Sequence, residues 1–456
     1  MEYLYLIEII IVLLIFIIMF LFNLKNRKQV ISWSLYDFAN QPFTTIIVTF
    51  VYGAFFTKYI VNDEHIGTLL WSTAIAVTAI VVSILSPVLG ALADSGGYRK
   101  FFLMIFTWIC SVFSILLYFP DSGDVYLAFT LFVIANISFE MGCVFSNSYL
   151  PDLSQKENIG KISGFAWGLG FFGGLTALFL SLFFFPEMNT EGIKKINVLV
   201  GIWFLIFSVP AFLFVKDKNP EKLKIKHIKD TFKSLKKTLN QVRNYKIIAN
   251  FLLARLFYND GLITIFSLGG IYAVETLDFS FIEVMILGIL LNISAGFGSF
   301  VFGYLEDKIG VLQIINISLW VLIVSTILAF LAPYLDIFSD VILDVNFFNY
   351  SLYYSLTFPQ LIFWIAGILI GLMIGPNQSC SRSLMSQLTP EKKQNEFFGF
   401  FAFTGKATSF LGPLLFGIIS NFYSQQFALW VVIIFFILGY FLLNRIDFSE
   451  MKKSNP

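Results

Sequence analysis

The sequence predicts an all-α membrane protein of twelve core helices with an extra hydrophobic segment in front. Three observations carry this expectation. The 456 residues are 57% apolar and only 13% charged, where a soluble domain carries about 25% charge, and the mean hydropathy is +0.81. Apolar runs of membrane-spanning length, about 20 residues, recur along the whole chain. Lys and Arg collect in alternate connections between those runs.

The runs lie near 3–22, 33–60, 68–93, 101–119, 125–150, 163–186, 196–215, 247–275, 281–305, 311–335, 359–383, 398–420 and 427–444. Their continuity indicates helices, because barrel strands are about 10 residues long and alternate in polarity. The first run stands apart. No basic stretch precedes it and no small-residue cleavage site follows it, so it is a poor signal peptide. It reads equally as a thirteenth span and as the product of a start codon assigned too early. The chain then divides into this segment (1–24), a six-helix half (30–215), a basic linker (216–246), a second six-helix half (247–445) and a tail (446–456).

Orientation follows the basic residues. Arg99 and Lys100, Lys156 and Lys161, Lys308, Lys392 and Lys393 occupy alternate connections. The intervening ones carry Asp63 and Glu64, Asp121 and Asp124, and Asp336, Asp340 and Asp344; Lys194 and Lys195 are the exception. The positive-inside rule places the start of the core and the C-terminus in the cytoplasm. In the linker Ile228, Phe232, Leu235, Leu239 and Val242 share one helical face among lysines. That pattern suits a helix on an anionic inner leaflet and equally a solvated connector.

The two halves echo each other. Gly90, Leu92, Asp94 and Gly97 precede Gly303, Leu305, Asp307 and Gly310 by 213 positions each, and Gly164 and Gly170 precede Gly399 and Gly405 by 235. The stripe Asn136, Glu140, Cys143, Asn147 has the same 4,3,4 spacing as Gly371, Gly375, Gln378, Arg382. Repeated six-helix halves are one of the large transporter designs.

Gly90-Ala91-Leu92-Ala93-Asp94-Ser95-Gly96-Gly97-Tyr98-Arg99-Lys100 resembles the signature loop of the major facilitator superfamily, with Ser95 where that loop usually has a basic residue. Further motifs narrow the resemblance. They are Trp33-Ser34-Leu35-Tyr36-Asp37-Phe38-Ala39-Asn40, Asn147-Ser148-Tyr149-Leu150-Pro151-Asp152, Ala254-Arg255-Leu256-Phe257-Tyr258-Asn259-Asp260-Gly261 and Thr404-Gly405-Lys406-Ala407-Thr408. From about Val30 to Arg445 the chain resembles the UMF1 family, bacterial relatives of the vacuolar effluxer Atg22. The resemblance implies a twelve-helix major facilitator fold and a secondary transporter, with amino-acid or peptide efflux as a carry-over. It also implies that Asp94 and Asp307 gate the molecule by meeting the N-terminal end of a helix from the other half, with Gly90, Gly97, Arg99, Gly303 and Gly310 in the same loops.

A charge in mid-bilayer costs about 2.5–3.5 kcal/mol, so each such residue is a candidate facing a wet cavity or a partner. Asp37 and Asn40 share a face of the first core helix, and Pro42 beyond them is expected to break it. Asp37 reads equally as a cavity acid and as a helix-end tie. Glu140 lies mid-span on the stripe that includes Asn147 and is a candidate for proton coupling, or else a static partner of a cation. Arg255 and Asn259 share a face, whereas Asp260 is turned about 140° from Arg255. Gly261 beside it invites a second break. Gln378 and Arg382 follow in the tenth helix, with Arg382 a candidate clamp for a carboxylate, and Lys406 in the eleventh. Asp37, Glu140, Arg255, Asp260, Arg382 and Lys406 are expected to form a charge-paired network that changes between states.

Other chemistries are poorly served. Net charge is +1, which argues against nucleic acid. Two His and three Cys build no metal cluster. Gly168-Leu169-Gly170-Phe171-Phe172-Gly173 fits G-x-G-x-x-G but sits inside a span with no strand before it, so close helix packing is the better account. No Walker loop is present. The expectation is a monomeric, multi-pass carrier of the bacterial inner membrane, needing no cofactor, with a small-molecule substrate, the lipid bilayer around it and protons as the candidate coupling ion. A transporter-like receptor or assembly factor is the alternative, and an enzyme ranks last.

Overall fold

A computed structural model describes residues 26–62, 64–155, 157–185, 189–217, 245–279, 281–335, 341–347 and 350–446. Within them twelve helices are long and apolar enough to cross a membrane. In chain order they are α1 (Arg27–Ile60), α2 (Glu64–Gly96), α3 (Arg99–Leu116), α4 (Val125–Asn147), α5 (Ile159–Phe184), α6 (Thr190–Phe214), α7 (Lys246–Leu277), α8 (Phe281–Ile309), α9 (Val311–Leu331), α10 (Phe358–Leu388), α11 and α12 (Gln425–Asn444). The eleventh comes in two segments, Gln394–Lys406 and Leu411–Phe422. Segment 1–24, most of the linker 216–246 and residues 447–456 lie outside the described residues.

The helices are apolar nearly all round because they meet two apolar surroundings, each other and lipid. Ile84, Phe183, Leu213 and Phe422 point outward. Trp33, Tyr36, Phe132, Phe145 and Phe204 fill a core in the first six spans; Phe251, Tyr258, Leu319, Phe398 and Phe436 fill one in the last six. Two rings cross over. Phe300 of α8 joins the first core and Phe171 of α5 joins the second.

The halves meet along two seams, α2 on α11 and α5 on α8. Small residues make both possible. A Cβ added to Gly90 would collide with the Asn395 carbonyl, and one on Gly399 with that of Ser86. On the other seam, a Cβ on Gly164 would collide with the Ser299 carbonyl, and one on Gly303 would lie 2.8 Å from that of Gly160. The offsets of 213 and 235 therefore relate whole interfaces. Gly168 of the G-x-G-x-x-G stretch likewise packs on the Phe300 ring.

Two expectations need correction. Pro42 does not break α1. The helix continues through it and widens to a π-helix over Phe43–Phe50. The carbonyl that Pro42 leaves without its N–H partner is that of Phe38, and the Trp203 indole N–H donates to it at 3.2 Å. Gly261 does not break α7 either. It lets Phe436 of α12 approach, whose Cε1 would lie 2.8 Å from an added Cβ. The interruption lies instead in α11, between Lys406 and Leu411. The long connection 336–358 adds an antiparallel hairpin, β1 (Val341–Phe347) and β2 (Tyr350–Leu356), pairing Val341 with Leu356. Its β-branched and aromatic residues favour strands.

Candidate functional site

The connections bearing Arg99, Lys161, Lys308, Lys392 and Lys393 share one end of the bundle, the basic end. There two carboxylates tie the halves together. Asp94, at the end of α2, accepts from the Asn395 N–H (3.1 Å), the Asn395 side-chain amide (2.6 Å) and the Glu396 N–H (2.7 Å) at the start of α11. Asp307, at the end of α8, accepts from the Gly160 and Lys161 N–H groups (2.9 and 3.1 Å) at the start of α5. The first N–H groups of a helix have no partner within it and carry the positive end of its dipole. Each acid satisfies both needs from across the seam. Gly97 (φ +67°) and Gly310 (φ +95°) close the turns behind these acids in the left-handed region that favours glycine.

Arg99 secures the same end. Its Nη2 meets Asp152 at 2.6 Å, and its Nη1 donates to the Ser148 carbonyl (2.9 Å) and to Gln394 Oε1 of the other half (3.2 Å). The guanidinium lies 3.7 Å over the Tyr149 ring, and Asp217, where the linker begins, accepts from the Tyr149 hydroxyl at 2.6 Å. Ser148 donates to Asn395 Oδ1 at 2.6 Å.

Deeper in, Arg382 of α10 reaches three helices of the first half. Its Nη1 donates to Asp37 Oδ2 (2.8 Å) and Asn147 Oδ1 (3.1 Å), and its Nε and Nη2 donate to the hydroxyl and carbonyl of Ser163 (3.0 and 2.7 Å). Trp33 and Trp167 flank it. Asn147 and Arg382 are 235 apart, so residues equivalent by the repeat touch each other. The side chain of Arg382 is 2% exposed, so in this state the clamp foreseen for a substrate carboxylate is filled by the protein's own acceptors.

A second cross-half pair is less buried. Lys406 Nζ lies 2.7 Å from Glu140 Oε1, with side chains 33% and 18% exposed. The contrast bears on what each pair costs to break. Removing one partner of a buried pair leaves an uncompensated charge, at about 3–5 kcal/mol. Fully solvent-exposed pairs contribute about 0–1 kcal/mol, and Glu140–Lys406 lies between these two cases. Asp37–Arg382 is therefore the costlier pair to separate, and Glu140–Lys406 the less costly one.

The other candidates hold α7 to the interrupted α11. Arg255 donates to the Phe401 carbonyl (3.0 Å) and stacks on its ring. Asn259 donates to the Gly405 carbonyl (3.2 Å) and accepts from Gln378 (3.3 Å). Asp260 accepts from the Thr408 hydroxyl at 3.2 Å, inside the interruption. Asn40 is buried in α1. Of the six-charge network foreseen, four residues form the two cross-half pairs, while Arg255 and Asp260 bind α11 through uncharged groups. Lys194, the topological exception, pairs with Asp121. Sequence reasoning missed Ser163, Trp33 and Trp167 around Arg382, since none carries charge. It also missed Glu306, a buried acid hidden beside the motif residue Asp307.

Two six-helix halves joined by polar ties, with an interrupted helix carrying one member of a partly exposed ion pair, fit a transporter of the major facilitator superfamily, and similarity to known proteins places the chain there. More narrowly, the chain belongs to the vacuole effluxer Atg22-like family, whose model matches residues 68–455. It is 25% identical to the uncharacterized MFS-type transporter YxiO of Bacillus subtilis, over 95% of this chain and 99% of that protein. It is 22% identical to autophagy-related protein 22 of Vanderwaltozyma polyspora, over 94% of this chain and 93% of that protein. In fold it is similar to the human organic anion transporter MFSD10, with TM-score 0.68, 12% identity and coverage of 92% and 99%. It is also similar to a bacterial homologue of the iron transporter ferroportin in an outward-facing state, with TM-score 0.65, 11% identity and coverage of 92% and 98%.

Proposed function

We propose that the protein is a secondary active transporter that moves a small zwitterionic solute, an amino acid or short peptide, outward across the bacterial plasma membrane by alternating access. The basic end faces the cytoplasm, and the described state is closed there. One observation carries the reading. Glu140 and Lys406 come from opposite halves, touch each other and are both partly exposed. A zwitterion carries the complement of each. Inserted between them, it replaces one ion pair with two and separates the halves at that level. The Asp37–Arg382 pair and the two acid–helix ties then release in the opposite state. The family's description as effluxers supports the direction.

The test is counterflow of labelled amino acids and dipeptides in proteoliposomes, with Glu140→Gln and Arg382→Gln tested separately. The wild type exchanges at least one solute and both variants lose exchange while remaining monodisperse. Full exchange in both variants refutes the assignment of the site. Saturable binding without flux in the wild type refutes transport and favours a receptor.

A further inference from the structure

Glu306 of α8 is 3% exposed, and no hydrogen bond reaches either of its carboxyl oxygens among the described residues. It lies in the seam between the halves. A Cβ on Gly160 of α5 would fall 2.6 Å from its Cβ and Cδ. The donors that α5 offers here, the N–H groups of Gly160 and Lys161, are already held by Asp307 next door. From α10 the facing groups are Cys380, Ser383 and Arg382. The Ser383 hydroxyl donates to the Ser379 carbonyl, the Cys380 thiol is a weak donor, and Arg382 is held by Asp37, Asn147 and Ser163. The Lys161 ammonium sits over the Tyr304 ring, as does that of Lys308. From α7, Arg255 turns to Phe401, and α9 has no ionisable side chain. The repeat places Ala93 at the equivalent position of the first half, so the carboxyl is not required by the seam itself.

A carboxylate this deep carries a desolvation penalty of several kcal/mol, and the attraction of Arg382 is outweighed by the repulsion of the neighbouring Asp307. The neutral acid has no such penalty. We propose that Glu306 is a proton-binding site built into the seam: it holds a proton while the basic end is closed and releases it to water on that side when α5 separates from α8 and α10. The inference rests on the alternating-access reading above and gives that cycle its proton step. Asp37 and Glu140 already face cations, so a proton arriving at either displaces an ion pair. At Glu306 it displaces nothing.

The experiment is hydrogen–deuterium exchange on the full-length protein in lipid nanodiscs, across the neutral pH range and corrected for intrinsic exchange. The readout is the Gly160–Lys161 amides, which are covered only while the seam is closed. In the wild type the opening constant rises with pH, by up to about tenfold per unit for a single proton. In Glu306→Gln, which mimics the neutral acid, these amides stay protected at every pH, and proton movement accompanying solute exchange in liposomes is lost. Glu306→Gln following the wild-type pH profile overturns the proposal and leaves alternating access standing. Protection unchanged in both proteins at every pH and with every solute overturns both.

Discussion

Replacing Asp94 by asparagine perturbs one tie and leaves its shape intact. The carboxylate accepts three N–H donors from the other half, at 2.6–3.1 Å. Bonds to a charged acceptor contribute about 1.5–3 kcal/mol each, against about 0.5–1.5 for neutral ones, so about 1 kcal/mol is lost per bond. Loss of the charge at the start of α11 adds about 0.3–1 kcal/mol, and the new NH2 faces a donor. Water recovers part of this in the open state, which leaves about 2–4 kcal/mol. At about 1.4 kcal/mol per factor of ten, the seam opens about 30- to 700-fold more often. The assay is amide exchange, read at the other tie. Gly160 and Lys161 contact Asp307, not Asp94, so their protection falls only if the basic end opens as a whole. Loss of protection at Asn395 and Glu396 alone, with Gly160 and Lys161 unchanged, would refute the reasoning. Asp94 would then be a local helix cap.

Other substitutions probe the remaining contacts. Gly399→Ala and Gly164→Ala push a methyl onto the Ser86 and Ser299 carbonyls; overpacking of about 1–3 kcal/mol raises Gly160–Lys161 exchange in both variants, to a similar degree because the seams are equivalent. Asp37→Asn leaves Arg382 buried without its counter-charge, at about 3–5 kcal/mol, and abolishes solute exchange in proteoliposomes. Exchanging the charges in Glu140→Lys and Lys406→Glu abolishes flux singly, and the double variant recovers the pair; double-variant binding of a labelled zwitterion no weaker than either single variant's is the check. Gly97→Ala forces a side chain into a positive φ, destabilising by about 1 kcal/mol or more, read as a lower Tm in detergent.

Much of this was legible in the chain because membranes impose simple rules. Span length, the alternation of basic connections and the 213 and 235 offsets need no tertiary information. The candidate charges were legible for the same reason, since lipid makes every intramembrane ion conspicuous. What stayed hidden was pairing. Arg382 carries a cation in the tenth helix, but nothing in its spacing says that Ser163 and Asp37 receive it. Pro42 reads as a break because the indole that rescues the Phe38 carbonyl comes from α6, 161 residues on. Gly261 reads as a hinge because the Phe436 ring beside it is equally remote. Glu306 adjoins a stronger motif residue, and only the packing around it shows that its carboxyl oxygens have no hydrogen-bond partner among the described residues.

Hydrophobicity and charge placement act locally, on one helix and one bilayer at a time. They were sufficient to set the twelve spans of the described residues, which ends share a side, and the duplication of the halves. Whether a given ion is locked, exchangeable or alone depends on which atoms of the opposite half come within about 3 Å, a property of packing between helices hundreds of residues apart. That packing separates the buried Asp37–Arg382 pair from the partly exposed Glu140–Lys406 pair, though each is one acid and one cation in the primary structure.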